Sequence, residues 1–394
     1  MFDQVEDYPV DPIMIGANYF AQDPRQDKLN LTVGIYQDDA GQTPVLKAVK
    51  LAEKQVMETQ TSKSYLALTG DADYCSVLGK ALMSTAYDDE WVAAQTSGGA
   101  VALRVMADLL SQMPQKPTIW LQTPTYGNYE PIMNAAGAHY SHVPYYDAIE
   151  RKITFEQMLD GFKAAKSDDV FLMQGVCHNP TGADMTAEQF DTVLDLLEAK
   201  GIIPWIDLAY LGFGQNFEAD CTMARKIAAR FPECIICITL SKSFGIYRDR
   251  AGALFIKTKN ADRARVERAV SAIVRSGASH APDHGPSVVR TILQDQDLKK
   301  LWLEELDLMR VRVAKVRQEV SAKERDTFGT DTLSYIAEQS GMFSLLPLTK
   351  PQEIALTRDH GIHVVSGGRV NLARLSPEDI SKLTNAVHDV MLRA

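Results

Sequence analysis

The sequence predicts an α/β protein, a mostly parallel sheet covered by helices on both faces, with a smaller α+β unit built from the two chain ends. Three observations lead there. Between about residues 90 and 260, short apolar runs alternate with segments of helical period. Those runs are apolar throughout rather than at every second residue, the pattern of strands buried on both faces. Beyond residue 295 the pattern changes to one long helical stripe, short strands and a closing helix.

The elements follow in order. Thr118 to Leu121, Val170 to Met173, Ile202 to Ile206, Cys234 to Thr239 and Gly252 to Ile256 read as strands. Ala102, Leu103, Val105, Met106, Leu109 and Leu110 mark a helix that starts after Ser97-Gly98-Gly99-Ala100. Phe190, Val193, Leu194 and Leu197 fall at i, i+3, i+4 and i+7, a second amphipathic helix led in by Met185-Thr186. Trp302, Leu306, Met309, Val313, Val316 and Val320 trace one long helix. Its Arg310-Val311-Arg312 run reads as the solvated side, with Glu304 and Glu305 as counter-charges. Met342 to Leu346, His363 to Val365 and Val370 to Ala373 are strand-like, and Ser376-Pro377-Glu378-Asp379 opens the last helix with a cap residue, Pro at the first position and an acid at the third. A length of 394 residues exceeds one core, so a large domain is placed at 46–295 and a small one at 1–45 plus 296–394.

Composition narrows the function. A formal charge of −10 gives no footprint for nucleic acid, and none is expected as a partner. The acidic N-terminus lacks the basic start and apolar core of a signal peptide, and no window nears 18 apolar residues, so no membrane association is expected and a cytoplasmic location is. Five scattered cysteines argue against a disulfide scaffold, and the Cys234/Cys237 pair lies in a strand, where residues three apart face opposite sides. The eight histidines show no zinc spacing, so no metal is expected. No GxGxxG element follows a strand, which disfavours a dinucleotide site.

Chemistry gathers at strand ends. Asn179 follows the strand at 170–173, Asp207 ends the one at 202–206 with Tyr210 three residues on, and Thr239 ends the one at 234–239, with Ser241 and Lys242 just after it. Singly, an Asp there is a cap and a Lys is solvated. Parallel strands ending together would gather an amide, a carboxylate, a phenol and an amine in one cleft. The helix start at Ser97, Gly98, Gly99 and Ala100 adds backbone N–H groups for an anion. That inventory suits pyridoxal 5′-phosphate: Lys242 as the amine that condenses with its aldehyde, Asp207 as partner of the ring N–H⁺, Asn179 and Tyr210 on the ring oxygen, Thr239, Ser241 and Arg250 on the phosphate.

On these residues the sequence resembles the fold-type I, class I aminotransferases, in their aspartate and aromatic amino acid branch. The likeness rests on Cys177-His178-Asn179-Pro180-Thr181-Gly182, Asp207-Leu208-Ala209-Tyr210, Ser241-Lys242-Ser243-Phe244-Gly245 with Arg250, and Ser366-Gly367-Gly368-Arg369-Val370-Asn371. Val33-Gly34-Ile35-Tyr36 and His284-Gly285-Pro286 extend it to essentially the whole chain. The resemblance implies a seven-stranded sheet, a homodimer with shared sites, and amino transfer from aspartate or an aromatic amino acid to 2-oxoglutarate. It implies that Arg369, with Gly34, binds the substrate carboxylate, and that Arg275 reaches from the partner subunit to a distal carboxylate. It also implies that Tyr65 crosses to the cofactor phosphate and that Tyr126 covers the ring. Tyr126 stands where a tryptophan is usual, Ala100 where a hydroxyl residue is, and Tyr129 and Gln174 where histidines support the aspartate; Ser64 and His280 also depart from the aspartate-selective pattern. β-Elimination or decarboxylation on the same cofactor, or a non-catalytic binding protein, stay open as alternatives.

Overall fold

The computed structural model describes residues 1–7, 10 and 12–393. Its chain divides into two compact units, one of residues 44–179 and 183–312, the other of residues 1–43, 180–182 and 313–394. No helix among the described residues is long and apolar enough to cross a membrane.

A seven-stranded sheet forms the centre of the larger unit. Its strands are β1 (Trp91–Ser97), β2 (Thr118–Thr123), β3 (His139–Pro144), β4 (Val170–Gln174), β5 (Ile203–Leu208), β6 (Cys234–Thr239) and β7 (Ala251–Lys257), in the spatial order β1-β7-β6-β5-β4-β2-β3. Every pairing is parallel except those of β7, which runs antiparallel to both β1 and β6. Only residues 240–250 join β6 to β7, too few for the crossover that a parallel pair needs. β4 and β6 are buried along their whole length, as their unbroken apolar runs require.

Helices cover the sheet for readable local reasons. Helix Ala187–Lys200 begins in a capping box between Thr186 and Gln189 and ends at Gly201, whose φ of 68° is the left-handed cap. Helix Gly99–Ser111 lays Leu103, Met106 and Leu110 on a core that includes Leu172, Trp205 and Cys237. Cys234 and Cys237 are both buried and free, and Cys237 Sγ accepts from Trp205 Nε1.

Helix Gln296–Phe328 carries the long stripe. Trp302 near its start stacks on Phe244 at 4.2 Å, within the larger unit, while Val316 and Val320 join the core of the smaller one. The counter-charge of Arg310 is Asp307. Glu305, expected in that role, instead accepts the backbone N–H groups of Lys47 and Ala48 at the start of helix Lys47–Thr59, where an anion suits the positive end of the dipole.

The smaller unit ties the chain ends together. Leu29–Asn30 pairs in parallel with Ile362–His363, Phe343–Leu345 pairs antiparallel with Arg369–Asn371, and Asn371 Nδ2 donates to the carbonyls of Val33 and Ile35. Helix Pro377–Leu392 closes it from a Ser376/Asp379 capping box.

Candidate active site

Register brings the chemistry together. Gln174 on β4 pairs with Asp207 on β5, and Asp207 with Cys237 on β6, so the carboxyl ends of three strands lie side by side. Of the residues singled out by sequence, Gly99, Ala100, Tyr126, Asn179, Asp207, Tyr210, Thr239, Lys242 and Arg250 line one cavity there. Leu103, Gln174 and Ala209 line it too. The sequence carries no chemical signal for Leu103 and Ala209, which only shape the wall. Gln174, singled out by sequence as a departure beside the aspartate, is the polar last residue of an otherwise apolar strand.

Asp207 and Lys242 face each other electrostatically. The buried Asp207 carboxylate accepts a hydrogen bond from Tyr129 Oη at 2.8 Å. Burial pushes its carboxyl up to about 6, against the Tyr129 hydrogen bond and the Lys242 charge, which favour the anion. Burial also brings the Lys242 amine down to about 8; Asp207 opposes that shift and the Arg250 charge adds to it. Lys242 Nζ sits 5.1 Å from the centre of the Tyr210 ring. The turn that carries Lys242 is fixed at the next two residues. Ser243 O accepts from Trp302 Nε1 at 2.8 Å, Ser243 Oγ donates to Leu211 O at 2.7 Å, and Phe244 stacks on Trp302.

A second cluster faces the start of helix Gly99–Ser111. Gly98 holds φ at 81°, and a Cβ there would meet Arg250 Nη2 at 2.6 Å; one on Gly99 would meet Thr239 Cβ at 3.0 Å. Only glycine lets that backbone and the guanidinium approach so closely. Arg250 Nη1 donates to Ser241 Oγ at 3.2 Å, and the Thr239 and Ser241 hydroxyls lie 3.3 Å apart. No carboxylate pairs with Arg250 among the described residues, although it is exposed at the cavity. Ser97, the last residue of β1, lines a neighbouring cavity with Arg104.

Four further predicted residues lie elsewhere. Tyr65 is exposed and stacks on His280 at 4.7 Å. Arg275 is exposed, with Nη1 donating to Ser279 Oγ at 2.6 Å, and neither it nor Tyr65 lines the cavity of its own chain. Arg369 belongs to the smaller unit, where Nη2 donates to Thr32 O at 2.6 Å and the guanidinium lies 4.6 Å from the centre of the Phe343 ring. Gly34 is beside the same ring, and a Cβ there would meet Phe343 Cζ at 2.9 Å.

Comparison with known proteins identifies the family of the chain. Residues 26–387 match the family model described as aminotransferase class I and II. The chain is similar to the aspartate aminotransferase of Escherichia coli, 37% identical over 401 residues covering 99% of this chain and 100% of the relative. It is also similar to the tyrosine aminotransferase of Rhizobium meliloti, 36% identical over 97% of this chain and 98% of the relative. Among solved structures, the aromatic-amino-acid aminotransferase of Burkholderia pseudomallei, covalently bound to pyridoxal phosphate, superposes with a TM-score of 0.95 at 33% identity, covering 99% of both chains. The strand-end lysine and aspartate, the glycine-started helix and this full-length match have one meaning: the chain belongs to the class I and II aminotransferases.

Proposed function

We propose that this protein transfers the amino group of aspartate or an aromatic amino acid to 2-oxoglutarate, using pyridoxal 5′-phosphate in a site completed by a second copy of the chain. The observation that carries the reading is the pairing, in one cavity, of a buried carboxylate and a desolvated amine beside an arginine with no carboxylate partner among the described residues.

The residues present fit the cofactor. Arg250, the Thr239 and Ser241 hydroxyls and the helix start at Gly99 form a cationic cradle sized by Gly98, suited to a phosphate. Ala100 brings no hydroxyl to it. When bound, pyridoxal 5′-phosphate supplies an aldehyde and a ring that accepts electrons. Asp207, as the anion, would keep a proton on the ring nitrogen, and Asn179 and Tyr210 would hold the ring oxygen. Tyr126, which stands edge-on to Tyr129 at 5.4 Å, would cover the ring face. Lys242 Nζ, lowered to about 8, is neutral often enough near neutral pH to take a proton from the substrate Cα and hold it at Nζ. Its two neighbours hold the turn, so that amine is aimed before substrate arrives.

Arg369, braced by Thr32 O and Phe343, is the residue proposed for the α-carboxylate, and Gly34 leaves room for the Phe343 ring that backs it. Arg275 and Tyr65 are exposed and outside their own cavity, which supports a homodimer in which each serves the other copy's site. Five free, buried cysteines support a reducing, cytoplasmic location. The relatives' names bring aspartate and the aromatic amino acids as donors.

The experiment is a panel of amino acid donors with 2-oxoglutarate, compared by kcat/KM for the wild type and for Arg275→Ala. Aspartate or an aromatic donor should lead the panel. The variant should lose at least about tenfold on aspartate and far less on phenylalanine. Equal losses on both, or a leading donor of another class, would contradict the reading.

A further inference from the structure

We infer that Gln174 is a positioning residue, whose side-chain amide clamps the Asn179 peptide and thereby fixes the Asn179 side chain at the cofactor ring; this rests on the function proposed above. Gln174 Oε1 accepts from Asn179 N at 2.8 Å, and Gln174 Nε2 donates to Asn179 O, also at 2.8 Å. Both ends of one amide thus meet both ends of one peptide unit's residue. Only Asn and Gln offer a neutral donor and acceptor together, and the forward reach of five residues suits the longer of the two.

The loop between them is not one that holds itself. Cys177 has φ at 56°, in the left-handed region that a non-glycine residue avoids. Asp184 receives the N–H groups of Cys177 and His178 at 2.8 and 2.9 Å, which pins the middle of the loop, while Gln174 pins its end. Gln174 is itself located from behind: its backbone N donates to Gln122 Oε1 and its Nε2 reaches Thr125 Oγ1 at 3.4 Å. With Asn179 4% exposed, the clamp leaves its side chain little freedom at the cavity wall.

This differs from the support expected at that position. Among the described residues no hydrogen bond joins Gln174 to the Asp207 carboxylate, which takes its side-chain hydrogen bond from Tyr129. The glutamine, turned away from the acid, serves the amide instead. The titratable and charged groups around the ring position are Tyr126 and Tyr129 from the helix side, Asp207 and Tyr210 from β5 and its turn, and Lys242 and Arg250 beyond β6. Gln174 carries no charge at any pH, so removing it acts on them only through the placement of Asn179.

The test is the pH titration of the visible absorbance of the cofactor-loaded enzyme, in wild type, Gln174→Met, Gln174→Glu, Asn179→Ala and the Gln174→Met/Asn179→Ala double variant. A correctly placed Asn179 stabilises the anionic ring oxygen, so its misplacement raises the midpoint. Gln174→Met should move the midpoint up by at least about 0.5 pH units, and Gln174→Glu, which loses the donor and also adds a negative charge that favours the protonated form, should move it up at least as far. In the Asn179→Ala background the Met substitution should add almost nothing, because two residues acting through one contact are not additive. An unchanged midpoint in both Gln174 variants, or the same shift with Asn179 absent, overturns the clamp. No pH-dependent band in the wild type would overturn the cofactor reading, and the clamp with it.

Discussion

Asp207 and Lys242 are each held away from the ionisation they have in water, and that displacement has a stability cost. The Asp207 carboxyl titrates near 6 in the folded chain against about 3.8 unfolded, because burial disfavours the anion. Between those values the native state binds the extra proton, so stability falls as pH rises through this window and the full cost stands above pH 6. A shift of about two units corresponds to roughly 2–3 kcal/mol. Asp207→Asn removes the charge while leaving an oxygen for Tyr129 Oη. The cofactor-free variant should therefore be more stable than wild type by about 2 kcal/mol at pH 8, and the advantage should disappear near pH 4. Urea unfolding at the two pH values measures it, and an advantage independent of pH would mean that the aspartate is not held at a cost. Activity should move the other way, since the neutral amide cannot keep the ring proton.

The start of helix Gly99–Ser111 is where an element, rather than a side chain, makes the site. Gly98→Ala would place a Cβ 2.6 Å from Arg250 Nη2 and strain a φ of 81°, so the guanidinium has to move off the helix start. Equilibrium binding should show at least about tenfold weaker affinity for pyridoxal 5′-phosphate and little change for pyridoxal without its phosphate. Equal losses for the two would mean that this helix start does not read the phosphate. The element itself was legible as a glycine pair before an amphipathic stripe. Strands β4, β5 and β6 were legible for a related reason, since a strand buried on both faces has no polar alternation to obscure it. The edge strands β1 and β3 were not. β3 is half exposed and carries His139, Ser141 and His142, while β1 buries Gln95 and Thr96, with Gln95 spending its side chain on Asp71 N and Pro282 O. Polarity there reflects hydrogen bonds to distant loops, which no local pattern encodes.

At the scale of the whole molecule, the residues that resemblance assigned to a shared site fall in two groups. Those at strand ends come together in one cavity, because the parallel order of β4, β5 and β6 puts them there. Tyr65 and Arg275 do not: both are exposed and lie outside that cavity, as the proposed exchange of residues between two copies requires. The first group was readable because each residue follows an apolar run by a few positions. The hydrogen bonds that support it, from Tyr129 to Asp207 and from Gln174 to Asn179, depend on side-chain direction across 78 and 5 residues and were not. Everything proposed for this protein passes through the Lys242 amine. Borohydride reduction of the cofactor-loaded enzyme followed by peptide mapping tests this most directly. One stoichiometric pyridoxyl label on the peptide containing Lys242 is expected, and a label on a different lysine, or none, would contradict it.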